Sequence, residues 1–353
     1  MRHLLKALGR VGIAAMLIYG LAWLVAGFWT PSRAPISIDS EDGRFDYYRT
    51  PIREFVYRLP AFCADATTKR KNLFIIGGSS ASAYRPNLIE PELPGWTVSN
   101  ISLEFSNITQ IKQTFELVRS CLDPEVLKNS RFVLGINYAL LGPNELRWPA
   151  RYTMLELDML RHGLFAGSPG AVDLVYSWPH TRILIAAMRP IFLTYALSFD
   201  AWQWITSAAS HLGGYLIDQS PEALRERQYQ VLLMYMGPFE PDAMDEQVHE
   251  LETLEAEVRA AGSDIIFLDI PVEHWLDNRL PHQAWYRSWV LDHTRDRGVP
   301  YLAPSPVADL NDFADLGHAN PSGAVRWSKE AAARLGSILR SGSQSTHPPA
   351  KIP

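Results

Sequence analysis

Cysteine is scarce in this chain: Cys63 and Cys121 are the only two among 353 residues. Neither sits in a Cys-x-x-Cys spacing, and the scattered histidines never fall into His-x-x-x-His. No metal site is indicated, and no cofactor is expected. In an oxidising compartment the two thiols either pair, tying the segment before the first strand to the helix after the second, or stay as separate buried thiols. An excess of basic residues is also lacking. Lys and Arg number 33 against 38 Asp and Glu, for a net charge of −5, and no basic patch stands out, which argues against nucleic acid as a partner. No internal repeat is visible. Beyond residue 29 no apolar run reaches transmembrane length, since the pieces 183–188 and 191–196 are separated by Arg189 and Pro190.

One long apolar run is present, at the front. Residues 11–29 carry no charged side chain; at 1.5 Å per residue such a helix spans roughly 28 Å, close to the ~30 Å hydrocarbon core of a bilayer. Arg2, Lys6 and Arg10 precede it, so the positive-inside rule keeps the N-terminus cytoplasmic and sends the rest outward. Trp23 and Trp29 would lie near the outer interface. A cleaved signal peptide is the alternative, but residues 22–26 offer no small-x-small cleavage site. A buried soluble helix is the third reading. The expected layout is a cytoplasmic N-terminus and anchor over 1–29, a spacer over 30–70 that packs on the domain, a domain over 71–340, and a disordered Ser/Pro-rich tail over 341–353. The location that follows is a bacterial inner membrane, crossed once, with the domain facing the periplasm or cell exterior.

The domain is 47% hydrophobic and 20% charged over the whole chain, enough for a large core. Residues 72–76, 132–137 and 264–271 are short apolar runs bounded by small or polar residues, the pattern of buried strands, and residues 98–103 look like a short strand followed by a polar turn. Met244, Val248, Leu251, Leu254 and Val258 recur at helical spacing before Ala261-Gly262, an amphipathic helix with a glycine stop. Helices are also expected over 287–297 and 322–339, and a short strand over 299–302. Helix alternating with buried strand predicts an α/β fold with a parallel sheet covered on both faces. Residues 143–237 interrupt that pattern with a segment rich in aromatics such as Trp148, Tyr176, Trp178, Trp202 and Trp204. They read as a helical insertion with its own small core, or as a platform that meets the membrane surface, a lipid-linked substrate or a membrane partner.

Chemistry concentrates in two places. Asp315 and His318 lie in one short stretch, Asp315-Leu316-Gly317-His318, where a carboxylate can orient an imidazole so that its other nitrogen takes a proton from a hydroxyl. Gly77-Gly78-Ser79-Ser80 follows the first strand. A serine on that turn sits at the carboxyl end of a sheet strand, with backbone N–H groups nearby to favour developing negative charge. The plainer alternative is that Ser79 and Ser80 merely cap a helix. The third and fourth pieces are residues 98–103 and Gly135-Ile136-Asn137-Tyr138.

In that order the four pieces resemble the blocks of the SGNH/GDSL hydrolase superfamily, over residues 72–137 and 263–339. Gly77-Gly78-Ser79 falls on the family's Gly-Asp-Ser with Gly78 in place of the aspartate. Gly135-Ile136-Asn137-Tyr138 falls on Gly-x-Asn-Asp with the last aspartate lost, and Asp315-Leu316-Gly317-His318 matches in full. Counting from Asn100 puts Phe105 where the family has its oxyanion glycine. The resemblance implies an SGNH-like three-layer α/β/α fold, with Ser79 as nucleophile (Ser80 the alternative), His318 as base and Asp315 as its orienter. It also implies an oxyanion hole from the Ser79 N–H, the Phe105 N–H and the Asn137 amide. The layout is similar to membrane-anchored members that decorate envelope polymers, namely the alginate and cellulose O-acetylation proteins and the D-alanyl-transfer protein of teichoic-acid modification. What this implies is an exported serine acyltransferase acting on a cell-envelope glycopolymer or lipid-linked acceptor. Its partner would be a membrane-bound O-acyltransferase or acyl carrier. A carbohydrate esterase is the alternative enzyme, and a non-catalytic envelope-assembly subunit is the alternative that Gly78, Phe105 and Tyr138 favour.

Overall fold

Asn72-Leu73-Phe74-Ile75-Ile76-Gly77 is buried at every position, because β-branched and aromatic side chains on both faces find a covering layer. The structure, a computed structural model, describes residues 2–28, 59, 62–69, 71–102, 106–142, 165–168, 171–174, 178–188, 190, 221–303, 312–314 and 316–342. Most of the expected spacer and all but the start of the expected tail lie outside them. The described strands are β1 (Asn72–Gly77), β2 (Thr97–Asn100), β3 (Ser130–Ile136), β4 (Phe165–Ser168), β5 (Ala171–Leu174), β6 (Asp264–Asp269) and β7 (Tyr301–Leu302). The main helices are α1 (Arg2–Phe28), α2 (Ile108–Cys121), α3 (Trp178–Ala187), α4 (Pro221–Met236), α5 (Pro241–Ala260), α6 (Pro281–Arg297) and α7 (Pro321–Gly342).

The chain divides into two compact units. The larger, Asp42–Pro51 with Ala61–Thr153 and Ser220–Pro353, holds a five-stranded sheet in the order β2-β1-β3-β6-β7, parallel throughout. Side-chain alternation gives each face its own helices. Leu73, Ile75, Val133, Ile266 and Leu268 point to the face that α7 covers with Trp327, Ala331 and Leu335. Phe74 and Phe132 point the other way, where Phe115 of α2 meets Phe132 edge-on, and Phe267 stacks on His293 of α6. The α/β class and the parallel sheet expected from the apolar runs are therefore present.

Local chemistry sets the element ends. Asn107 and Gln110 form a reciprocal capping box at the start of α2. At the end of α5, Gly262 adopts φ +77°, and the bonds Ser263 N–H to Val258 carbonyl and Gly262 N–H to Arg259 carbonyl form a Schellman stop. The second strand ends at Asn100, because the Asn100 Oδ1 accepts the Ser102 N–H at 2.9 Å and turns the chain. Cys63 and Cys121 are disulfide-bonded, with Cα atoms 5.9 Å apart, so of the two readings of these cysteines the paired one holds.

The smaller unit comprises Met1–Glu41, Ile52–Pro60 and Met154–Gln219. Its described part contains α1, α3 and the antiparallel hairpin β4–β5, in which Phe165 pairs with Leu174. The insertion expected to be helical thus carries a hairpin as well as helices, and its last helix, α4, belongs to the larger unit. Trp23 Nε1 donates to the Ala186 carbonyl at 2.7 Å and Tyr19 Oη to the Ala187 carbonyl, supplying donors to the open carbonyl end of α3. Among the described residues no helix is long and apolar enough to cross a membrane; the described side chains of α1 cover residues 9–24, short of the whole uncharged stretch.

The disulfide closes a loop between positions 58 apart. Replacing both cysteines by serine is expected to lower the unfolding free energy of the larger unit by about 2–4 kcal/mol. The urea midpoint of the full chain in detergent, with and without the double substitution, measures this; equal midpoints would mean that the bridge adds no stability.

Candidate active site

From β1 the chain passes to β2 on one side and then to β3 on the other. Such a reversal opens a crevice at the carboxyl ends of the central strands, where open α/β sheets take their ligands. A cleft of about 190 Å³ lies there. All its lining residues belong to the larger unit, among them Ser79 and Ser80 after β1, Asn137 and Leu140 after β3, Ile270 after β6, and His318.

Ser79 opens a 3₁₀ helix, Ser79–Ala83. That turn lies flat on the strand ends because two glycines make room. A Cβ on Gly135 would fall 2.5 Å from the Ala81 Cβ, and one on Gly77 would fall 2.7 Å from the same atom. These two glycines are paired across β1 and β3. Asn100 holds the turn from the far side, its Nδ2 donating to the carbonyls of Ala81 at 2.9 Å and Tyr84 at 2.8 Å. In the sequence Asn100 serves only to count toward Phe105; a polar amide at the end of a short strand is the one signal of this bracing role.

His318 is carried by a tight loop braced on both sides. The Ala314 N–H donates to the His318 carbonyl at 2.9 Å and the Asn320 N–H to the Asp312 carbonyl at 2.6 Å, while Phe313 and Ala319 form an isolated antiparallel bridge. Asn320 Oδ1 then accepts the Gly323 N–H at 2.9 Å, which starts α7. A Cβ on Gly323 would meet the Asp312 carbonyl oxygen at 2.2 Å, so the loop closes onto α7 only over glycine. Phe313 packs edge-on against Trp327 of α7.

These two constructions bring His318 Nε2 to 2.9 Å from Ser79 Oγ, across 239 positions of sequence. With the ring proton on Nδ1, the serine O–H donates to Nε2. Asn137 sits in the same cleft. Its Oδ1 accepts the Ala139 N–H at 3.1 Å, which leaves the amide NH₂ as its donating end. The N–H groups of Ser79 and Ser80 head the 3₁₀ helix and have no acceptor within it. Ser80 also lines the cleft. Gly78, just before Ser79, is closely packed: a Cβ there would lie 3.0 Å from Leu140 Cδ2. Tyr138, just after Asn137, is buried in the cleft wall. Phe105 and Asp315 lie outside the described residues. Among the described residues no cluster of His, Cys, Asp or Glu is arranged to hold a metal.

Beside the cleft, at the end of β6, Asp269 accepts the Tyr286 O–H at 2.8 Å and the Tyr301 O–H on its other oxygen. Burial pushes its carboxyl up to about 7, outweighing the two phenol bonds that draw it down. Burial and then the Asp269 charge raise the Tyr84, Tyr286 and Tyr301 hydroxyls. No family model matches the chain, and no curated protein matches it.

Two outcomes follow from this geometry. The folded chain holds the Asp269 proton up to about pH 7, whereas the unfolded chain releases it near 3.9. This proton therefore contributes stability fully below about pH 4, and the contribution is lost as pH rises to 7, by up to roughly 4 kcal/mol. Asp269→Asn is expected to flatten that slope, and urea midpoints at pH 4.5 and 8 test it; an equal slope in both proteins counts against the buried proton. Asn100→Ala removes the side-chain donor from two carbonyls of the turn, of which Ala81 keeps the Tyr84 N–H at 3.2 Å. It is expected to slow labelling of Ser79 by a fluorophosphonate about tenfold or more, the scale on which misplaced reacting groups lose rate. An unchanged labelling rate would show that the turn holds itself.

Proposed function

We propose that this chain is an outward-facing, membrane-anchored serine acyltransferase that modifies a cell-envelope glycopolymer through an acyl-serine intermediate. The observation that carries the proposal is the 2.9 Å approach of His318 Nε2 to Ser79 Oγ in a cleft at the strand-order reversal. The SGNH-like assignment of the fold is part of the same proposal, supported by the order of the four blocks and by where Ser79, Asn137 and His318 fall around one cleft.

In the first half-reaction, Ser79 Oγ attacks the acyl carbonyl of the donor as His318 Nε2 takes its proton. The carbonyl oxygen becomes an oxyanion, met by the Ser79 N–H and the Asn137 NH₂; donors of this kind are worth about 10²–10³ in rate each. The bond from carbonyl carbon to leaving group breaks, and the imidazolium returns its proton to that leaving group. In the second half, an acceptor hydroxyl gives its proton to His318 and attacks the acyl-serine, and the proton then returns to Ser79. A sugar hydroxyl as acceptor makes a transferase, water an esterase.

The anchor is supported by α1. Residues 11–28 contain no charged side chain, and Val11, Met16, Leu17, Ile18 and Leu21 are all more than 60% exposed. Arg2, Lys6 and Arg10 flank them on the N-terminal side, in the sense that the positive-inside rule requires for an exported domain.

The test uses the full chain in detergent with a chromogenic acetyl ester. Ser79→Ala and His318→Ala are each expected to lose at least about 10³ of kcat/KM, and a fluorophosphonate is expected to label the wild type and Ser80→Ala but not Ser79→Ala. If the wild type neither turns over the ester nor takes the label, the non-catalytic reading replaces this one. If turnover survives in Ser79→Ala and falls in Ser80→Ala, the nucleophile is Ser80.

A further inference from the structure

The apolar part of the cleft lining includes Leu140, Ile270, and Leu232 and Met236 of α4. Leu232 and Met236 stand four apart, on one face of the helix. Met236 is 5% exposed and is the last residue of α4. The helix stops there because Gly237 turns left-handed, at φ +73°, and its N–H closes on the Leu233 carbonyl at 2.9 Å, the single-bond αL stop. A left-handed glycine thus sets where the Met236 side chain sits. Among the described residues lining the cleft there is no Asp, Glu, Lys or Arg.

Size and polarity together restrict the acyl group. At about 190 Å³ the cleft falls below the 300–1,000 Å³ or so of clefts that bury drug-sized ligands. An ammonium group carried into an apolar wall without a carboxylate partner is strongly disfavoured, whereas a short alkyl chain gains by contact with it.

We infer that Met236 and Leu232 of α4 close an acyl pocket that admits a short, neutral acyl group and discriminates against an aminoacyl group. The inference rests on the serine acyl-transfer reading and narrows it. The α-amino cation of a D-alanyl group meets no counter-charge on the described walls, and chain length is limited by the Met236 side chain. In chemical terms the donor is an acetyl-like thioester or ester. The bond formed is the Ser79 ester, and the bond broken is the donor's carbonyl–sulfur or carbonyl–oxygen bond, with the proton passing through His318 to the leaving group.

The experiment compares p-nitrophenyl acetate, butyrate and hexanoate on the full chain in detergent, for wild type, Met236→Ala, Leu232→Ala and Met236→Phe. It also compares the isosteric pair p-nitrophenyl isobutyrate and D-alanine p-nitrophenyl ester, each rate divided by its uncatalysed rate. The wild type is expected to prefer acetate over hexanoate and isobutyrate over D-alanyl by about tenfold or more, the scale on which apolar pockets discriminate small groups. Met236→Ala is expected to raise the hexanoate-to-acetate ratio of kcat/KM by about tenfold, and Met236→Phe to lower it. Leu232→Ala gives an independent reading of the same wall should Met236→Ala fail to fold. Turnover with the same chain-length profile in every folded variant overturns the pocket assignment while leaving the serine chemistry standing, and D-alanyl turnover equal to or above isobutyryl overturns the neutral-acyl assignment. Loss of fluorophosphonate labelling in the wild type marks instead the failure of the acyl-transfer reading beneath it.

Discussion

The candidate site depends on a close approach of backbone to backbone. A 3₁₀ turn can lie across the carboxyl ends of β1 and β3 only where the strands present no side chain. Gly77 and Gly135 meet that requirement side by side, with Ala81 of the turn resting against both. Protein interiors are close-packed, so an added methyl group here has no free volume to enter. It would lift the turn, and Ser79 with it, away from His318. Everything that the serine could do rests on that contact, because an imidazole 1 Å further off takes a proton far less readily.

The partners are held by different devices. Ser79 is fixed through the main chain, by glycine contacts below and by the Asn100 amide, which binds two carbonyls of the same turn. His318 is fixed by a short bridged loop whose far end is the cap of α7. Neither arrangement asks much of the side chains of Ser79 and His318 themselves, which stay partly exposed in the cleft. A preorganised site of this kind keeps its reacting atoms accessible while the supporting atoms are buried and hydrogen-bonded.

Much of the fold was legible because parallel strands buried on both faces carry unbroken apolar runs. Residues 72–76 and 264–271 announced β1 and β6 within a residue or two, and Ala261-Gly262 announced the end of α5. The Ser79 and His318 stretches could be picked out since glycine-bounded serines and an Asp-x-x-His pair are chemically distinctive. Other features left no such trace. The hairpin β4–β5 shows no clear alternation in Phe165–Leu174, and the Pro169-Gly170 pair within that stretch marks a turn without fixing a hairpin. Asp269 looked like an ordinary strand end, because the tyrosines that bond it come from 17 and 32 residues further on. The pairing of Cys63 with Cys121 required knowing that two segments 58 positions apart approach within bonding distance.

Helix α4 is the most instructive of these. Its sequence mixes charged and apolar residues without a sharp stripe, and its place at the end of an insertion suggested that it belonged to a separate body. In the structure it joins the sheet's own unit and sends Leu232 and Met236 into the cleft. On the proposed reading, the reacting groups would come from loops tied to the sheet, whereas part of the wall meeting the acyl chain would come from a helix at the border of the insertion. Chemistry and selection would then rest on separable elements. The sheet ends tolerate little change, since glycine contacts fix them, whereas α4 can exchange one apolar side chain for another of different length at small cost. On the proposed reading the size of the acyl group would be adjusted at Met236 and Leu232 without disturbing the approach of His318 to Ser79.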